Sequence, residues 1–516
     1  VTLFTPIQIL ITIWLALYGL NAFILLSLYL RHIRESTPTP PVDWEILPHV
    51  TVQVPVYNEM HVVERVIDHV AALDYPRDKL HIQILDDSTD ETLWISRGRA
   101  ALHRERGVDI EVLRRPDRNG FKAGALNWGM SQTQSEFIAI FDADFCPPPN
   151  FLLKTIPHFV KKPQVGLVQT RWAYLNADYS PLTEAQALLF DGHFGVEQVA
   201  RCRSGLFMNF NGTGGVWRRR CIEDGGGWED DTLCEDLDLS YRAQLSGWKF
   251  LYLRDVAVPA ELPPQITAFK RQQFRWSKGT AQTLRKLFGP IMRSKLSWTK
   301  KVLGVLHLSS YLAHSLMVLH LLISLPLLLL PNSGRLPIED FFGLLGLGQP
   351  LIFILAQQQL YPNNWWRRLR AFPMMLMIGV GIAWCSTRAA WRGLTKWGGT
   401  FIRTPKFRLE DKDDDWADSR YRLRADRNTP GEIILALYAL TTTVAAFATE
   451  KYSLIPFTLV YALAFGMVAG MGIAQGRPMR QRRSLRPAVR LEMAGTDSGK
   501  SQTNKTRKPR SHSWRG

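Results

Sequence analysis

Cysteine is sparse in this 516-residue chain, with five residues at positions 146, 202, 221, 234 and 385. None forms a C-x-x-C pair and no spacing suits a metal, so a zinc site and a disulfide framework are excluded and the thiols read as reduced and cytosolic. No internal repeat is visible. The first apolar run, residues 7–30, carries no charge, and it lacks both a basic n-region and an A-x-A cleavage site. It therefore reads as a transmembrane helix and not as a removable signal peptide. Charge is also missing from the interior of the later apolar runs, where only His307, His314 and His320 intervene. A transporter with a regulatory nucleotide-binding domain, the alternative from a different class, needs charge inside its spans.

A net charge of +17 could indicate nucleic acid, but the excess lies beside apolar runs and after Gln475. That distribution indicates anionic lipid headgroups as the partner, and no nucleic acid. Arg31 and Arg34 follow the first run and precede a Pro-rich linker at 37–41, which places the next segment in the cytoplasm. There the pattern alternates. Strands are expected at 50–55, 81–85, 110–113, 137–141 and 165–169, with helices at 60–73, 91–106 and 182–201. This is a nucleotide-binding α/β layout, taken as a domain at 45–295 after an N-terminal span within 1–34.

A membrane region is expected at 300–475. Apolar runs at 302–330 and 341–360 are long enough to span, whereas 371–385, with arginines on both sides, reads as a helix lying in the interface (371–390). That parity leaves residues 391–430 cytoplasmic. Runs at 432–449 and 454–473 close a hairpin, giving about five spans, and the basic tail 476–516 reads as disordered.

Five constellations could carry chemistry. Phe137-Ile-Ala-Ile-Phe-Asp-Ala-Asp144 is an apolar strand ending in two carboxylates, Asp142 and Asp144, which an extended chain aims the same way, towards a hard dication. A strand-end turn before Pro147–Pro149 is the competing reading. Asp86 and Asp87 end the second strand, where they can meet a nucleoside or cap a helix. Lys122 lies among Gly120 and Gly124 at a helix start, which suits phosphate, with a solvated surface lysine as the competing reading. Glu235 and Asp236 open a helix behind Gly-rich segments, either as dipole-favoured acids or with Asp236 as general base. Gln272, Arg275 and Trp276 share a helical face that suits a diphosphate and a stacked sugar.

In this order, Asp86-Asp87, Asp142-Ala-Asp144, Glu235-Asp236 and Gln272-Gln-Phe-Arg-Trp276 resemble the D, D, D, Q-x-x-R-W signature of membrane-embedded family 2 glycosyltransferases, the cellulose, hyaluronan, chitin and mannan synthases. The segments from Phe210 to Trp217 and from Gly247 to Tyr252 resemble plant cellulose-synthase-like mannan and glucan synthases and their bacterial relatives. Phe401-Ile-Arg-Thr-Pro-Lys406 resembles the F-x-V-T-x-K gating loop of processive synthases, with Arg403 in place of Val, and lies in the loop 398–412. Cys234-Glu-Asp departs from the family's T-E-D.

The resemblance implies a GT-A α/β domain with a mixed, mainly parallel sheet, inserted between transmembrane helices. It implies donor contacts from Asp86 or Asp87, Lys122, Asp142, Gln272, Arg275, Thr404 and Lys406. Asp142 and Asp144 would hold Mg2+ or Mn2+, Asp236 would be the base, and Asn211, Glu235 and Trp276 would face the acceptor. The implied reaction is inverting, processive transfer of a hexose, from UDP-glucose by preference or GDP-mannose, to an oligosaccharide or polysaccharide exported across the plasma membrane. Single transfer to a membrane lipid is the alternative. Oligomeric state is left open.

Overall fold

Strand β1 (Val50–Val56) alternates β-branched residues with Thr51 and Gln53, yet nearly every position is buried. Burial on both faces is the mark of a central parallel strand. Its polar side chains bond neighbouring polar groups: Gln53 Nε2 donates to Gln83 Oε1 at 3.1 Å, and Thr51 bonds Ser135 at 2.8 Å. The computed structural model describes residues 4–330 and 344–477. Residues 478–516 of the tail expected to be disordered from 476, and residues 331–343, lie outside them.

The other strands are β2 (Leu80–Asp86), β3 (Ile110–Leu113), β4 (Phe137–Ile140), β5 (Val165–Tyr174), β6 (Gly215–Arg218) and β7 (Lys249–Ala260). They form one sheet in the order β3-β2-β1-β4-β6-β5-β7. Only β6 runs antiparallel to its neighbours. The chain leaves β1 for β2 and β3 on one side and returns as β4 on the other. A crevice therefore opens beyond the carboxyl ends of β1 and β4, where open α/β sheets bind ligands. This is the mixed, mainly parallel sheet that the resemblance implies.

The five expected strands and the helices between them are present within a few residues, with helices at Val63–Ala71 and Thr92–Glu105. Asp90 Oδ1 accepts from Thr92 N at 3.0 Å, so the first N–H of the second of these is met without the acidic pair before it. The helix expected at 182–201 is continuous but contains a π-turn, His193–Glu197, between Pro181–Gly192 and Gln198–Arg203.

The membrane region is corrected in its parts. Among the described residues four helices are long and apolar enough to cross a membrane: Thr5–His32, Leu312–Leu329, Thr429–Ala448 and Tyr452–Gly476. A pair bent by 44°, Trp365–Gly381 and Ala383–Thr395, would make a fifth. The run at 302–330 is broken after Leu308, where Ser309 bonds back to Val305 and the next helix restarts at Leu312. The run at 341–360 supplies the 13-residue helix Gly348–Leu360, too short to span. Its Gln357 donates to Asp191 at 2.9 Å on the domain helix Pro181–Gly192. The stretch expected as one interfacial helix is the bent pair. Its second half packs so closely on the 28-residue helix Ile266–Arg293 that a Cβ on Gly393 would sit 2.4 Å from Lys278 O.

That long helix ties the domain to the apolar helices through charge. Lys270 is fully buried, and its Nζ donates to Glu432 Oε1 at 2.8 Å and Asp426 Oδ1 at 3.1 Å. Glu432, also fully buried, lies in the first turn of Thr429–Ala448.

Candidate active site

The crevice encloses about 1160 Å³ of empty space, counted out to open solvent, and brings most of the sequence motifs to one place. Asp87, Lys122, Asp142, Asp144, Asn211, Glu235, Asp236, Gln272, Arg275, Trp276, Thr404 and Lys406 all line it.

Asp86 does not. Its Oδ1 accepts from Ser88 N at 2.9 Å and its Oδ2 from the Ser96 hydroxyl at 2.7 Å, with no exposure to solvent. Both oxygens are spent on closing the turn after β2, so a nucleoside contact falls to Asp87 alone. Arg115 neutralises Asp87 through bonds of 3.1 and 2.5 Å.

Lys122 enters from the first turn of the helix Phe121–Ser131. Gly124 is required there, because a Cβ would meet Asn119 O at 2.1 Å. Lys122 Nζ donates to Asp142 Oδ1 at 2.5 Å and to Gly212 O at 2.8 Å, bridging β4 to the glycine turn before β6. The two metal-candidate carboxylates have different neighbours. Asp142 is 37% exposed to the cleft, whereas Asp144 is 6% exposed and its Oδ2 accepts from Lys406 Nζ at 2.6 Å and Glu261 N at 3.1 Å. Two hard carboxylates facing one cleft, with oxygens left over for coordination, fit Mg2+ or Mn2+ shared with a diphosphate.

Asp236 sits in the first turn of the helix Glu235–Leu245, which delivers it to the cleft floor. Burial, and then the adjacent Glu235 carboxylate, push its pKa up to about 7, against the pull of Lys122, the Leu237 N–H and Arg275. A carboxylate with a pKa near neutrality is a competent general base at physiological pH. Gly212 makes room for it. Its φ is +82°, and a Cβ there would lie 3.0 Å from Asp236 Oδ2 and 3.5 Å from Lys122 Nζ. Gly212→Ala is expected to lower turnover at least about tenfold, since strain of about 1–3 kcal/mol falls directly on the base. Initial rates on folded protein, checked by thermal unfolding, measure it.

Several polar atoms of residues lining the cleft are buried without a partner among the described residues: Gln272 Oε1, Arg275 Nε, Thr404 Oγ1, Asn211 Nδ2, Tyr174 Oη and Trp172 Nε1. Buried polar groups are seldom left unpaired, so these mark where a polar ligand belongs. Trp276 lies edge-on to Phe190, 5.7 Å between centroids, and with Trp172 and Tyr174 makes an aromatic wall.

The loop 401–408 is folded into the cleft. Phe401 lies 4.6 Å under the Arg275 guanidinium and 6.4 Å from Phe121. Arg403, the residue that departs from the gating-loop pattern, bonds Glu59 at 3.2 Å and lies 4.2 Å over the Tyr421 ring. Burial pushes Glu59 up to about 8, with Arg403 opposing, so the substitution supplies a counter-charge for a buried acid at the end of β1.

Glu261, just after β7, was not singled out in the sequence, and a lone acid before Pro-Pro gives no signal of its role. Its two oxygens accept from Phe407 N and Arg408 N, each at 2.8 Å, and its carbonyl accepts from Lys406 at 2.8 Å. Glu261→Ala is expected to weaken loop docking by about 2–3 kcal/mol and to open residues 401–412 to protease. Limited proteolysis followed by mass spectrometry reads it.

The sequence model described as "Glycosyltransferase like family 2" matches residues 48–279. A protein of Oryza sativa subsp. japonica named "Probable glucomannan 4-beta-mannosyltransferase 7" is 46% identical over 268 residues, 49% of this chain and 44% of that one. Glucomannan 4-beta-mannosyltransferase 2 of Arabidopsis thaliana is 40% identical over 299 residues, 56% of each. The chain spans about half the length of the curated relatives it matches. Among solved structures, a Pyrobaculum calidifontis mannosyltransferase in complex with GDP-Man and Mn2+ superposes with a TM-score of 0.48 at 23% identity, covering 69% of this chain and 99% of that one. Residues 48–279 are thus similar to glycosyltransferase family 2 domains, and they are set between helices long and apolar enough to cross a membrane.

Proposed function

We propose that the chain transfers a mannosyl residue from GDP-mannose to a growing β-glycan, with inversion at the anomeric carbon. The observation that carries this reading is the pairing, in one cleft, of a carboxylate with a pKa near 7 and a set of orphaned donors. Asp236 takes the proton from an acceptor hydroxyl stacked against Trp276. The oxygen then attacks the anomeric carbon from the face opposite the leaving nucleoside diphosphate. Arg275, Lys122 and the loop's Lys406 balance the negative charge that grows on the departing diphosphate. Asp142 and Asp144 would hold the divalent cation, which when bound supplies Lewis-acid neutralisation of the diphosphate oxygens.

The names of the relatives favour GDP-mannose over the UDP-glucose first expected. A loop that occupies the donor side and several apolar helices after the domain support repeated transfer coupled to export, from a catalytic domain facing the cytoplasm of the plasma membrane. Purified protein given each nucleotide sugar with Mn2+ tests both points. A higher kcat/KM for GDP-mannose and long chains cut by a β-mannan hydrolase are expected. A preference for UDP-glucose would refute the donor assignment, and one sugar per lipid would refute repeated transfer.

A further inference from the structure

At the nucleoside end of the cleft stands a cation that the mechanism above does not use. Arg118 precedes the helix of Lys122, and its guanidinium carbon lies 3.4 Å over the Tyr57 ring and 5.0 Å from Phe121. Arg118 lines the cleft, and among the described residues its guanidinium has no hydrogen bond and no carboxylate within ion-pair distance. The nearest acid is already taken: both oxygens of Asp87 bond Arg115. Arg118 is thus a planar fork of N–H donors, orientated by an aromatic face, beside an acceptor carboxylate that is itself held fixed.

We infer that Arg118 reads the nucleobase of the donor, giving paired N–H bonds to the O6 and N7 acceptors of guanine while Asp87 accepts from the opposite N1–H and N2–H edge. The inference rests on the proposed guanosine diphosphate donor. Guanine is the base that presents two adjacent acceptors to a guanidinium, and this is the commonest specific contact between arginine and a base. Uracil offers O4 alone on that side, so the same fork discriminates against it. Arg118 on this account sets donor specificity and leaves the chemistry at Asp236 untouched.

The test compares GDP with 7-deaza-GDP, which lacks only the N7 acceptor, as calorimetric ligands of the detergent-solubilised full chain with Mn2+. Wild-type protein is expected to bind GDP about tenfold more tightly, the size of one hydrogen bond to a charged donor. In Arg118→Met, whose stem still packs on Tyr57, the ratio is expected to fall to about one. Arg118→Lys, charged but without the fork, is expected to lose most of it. Equal binding of the two nucleotides by wild type would overturn the inference without touching the donor assignment, and so would an Arg118→Met that weakens both equally, which would make Arg118 a phosphate contact. Binding of UDP with neither guanine nucleotide would overturn the donor assignment itself. The wild-type comparison needs no variant, so a misfolded substitution does not blunt it.

Discussion

Replacing Asp236 with Asn lowers turnover by about 10²- to 10⁴-fold, the contribution of a positioned general base, while GDP binding stays within a few-fold. The amide keeps the side chain's size and position and cannot take a proton. The proposed nucleotide contacts, Asp87, Lys122 and Asp142, are other residues lining the cleft. The pH profile carries the same information with a definite sign. Because burial and Glu235 raise Asp236 to about 7, the reactive carboxylate is depleted below that pH, so kcat/KM rises with pH through about 7. The raised value also means that the folded state holds this proton more firmly than the unfolded chain. The Asp236 contribution to stability is full below the ordinary carboxylate value and is lost as pH climbs through 7. The Asn variant, with no proton to lose, is expected to show neither the acidic limb in its residual rate nor that part of the stability loss.

Replacing Lys270 with Met has the largest expected effect on stability. It would leave Glu432, fully buried, without its ammonium partner, and an uncompensated buried charge costs about 3–5 kcal/mol. The damage is expected to reach the site, because Lys270 lies on the same helix as Gln272, Arg275 and Trp276, which would lose its anchor to Thr429–Ala448. Thermal unfolding in detergent should show a large drop for Lys270→Met. Most of the loss should return in Lys270→Met combined with Glu432→Gln, because replacing both ends of a buried pair removes the orphan. A double variant no more stable than the single one would show that the ion pair is not what joins the helices.

The α/β half was legible because its strands and helices are short, regularly spaced and bounded by Gly, Pro and Asp. Strand β6, four residues inserted antiparallel between β4 and β5, had no such signal. Its Val216 and Trp217 read as part of a Gly-rich segment until the sheet supplies partners on both sides. The membrane half was legible in composition and less so in geometry. Hydropathy does not register the break at Ser309–Tyr311, nor the use of the short helix Gly348–Leu360 to brace Asp191.

In the site, residues that belong to spaced motifs were found, while those defined by a single contact were not. Asp86 and Asp87 are adjacent in sequence, and only the turn chemistry of Ser88 and Ser96 separates their fates. Glu261 and Arg118 act through partners 146 and 61 residues away, Phe407 and Tyr57, a proximity that no local pattern encodes.

The central claim is that this cleft performs a single inverting displacement with Asp236 as base, and the configuration of the new linkage tests it most directly. Proton NMR of the first product formed from an α-linked nucleotide sugar and an oligosaccharide acceptor should show a β anomeric centre with wild-type protein and almost no product with Asp236→Asn. An α linkage, or a β product formed by Asp236→Asn at the wild-type rate, would contradict it.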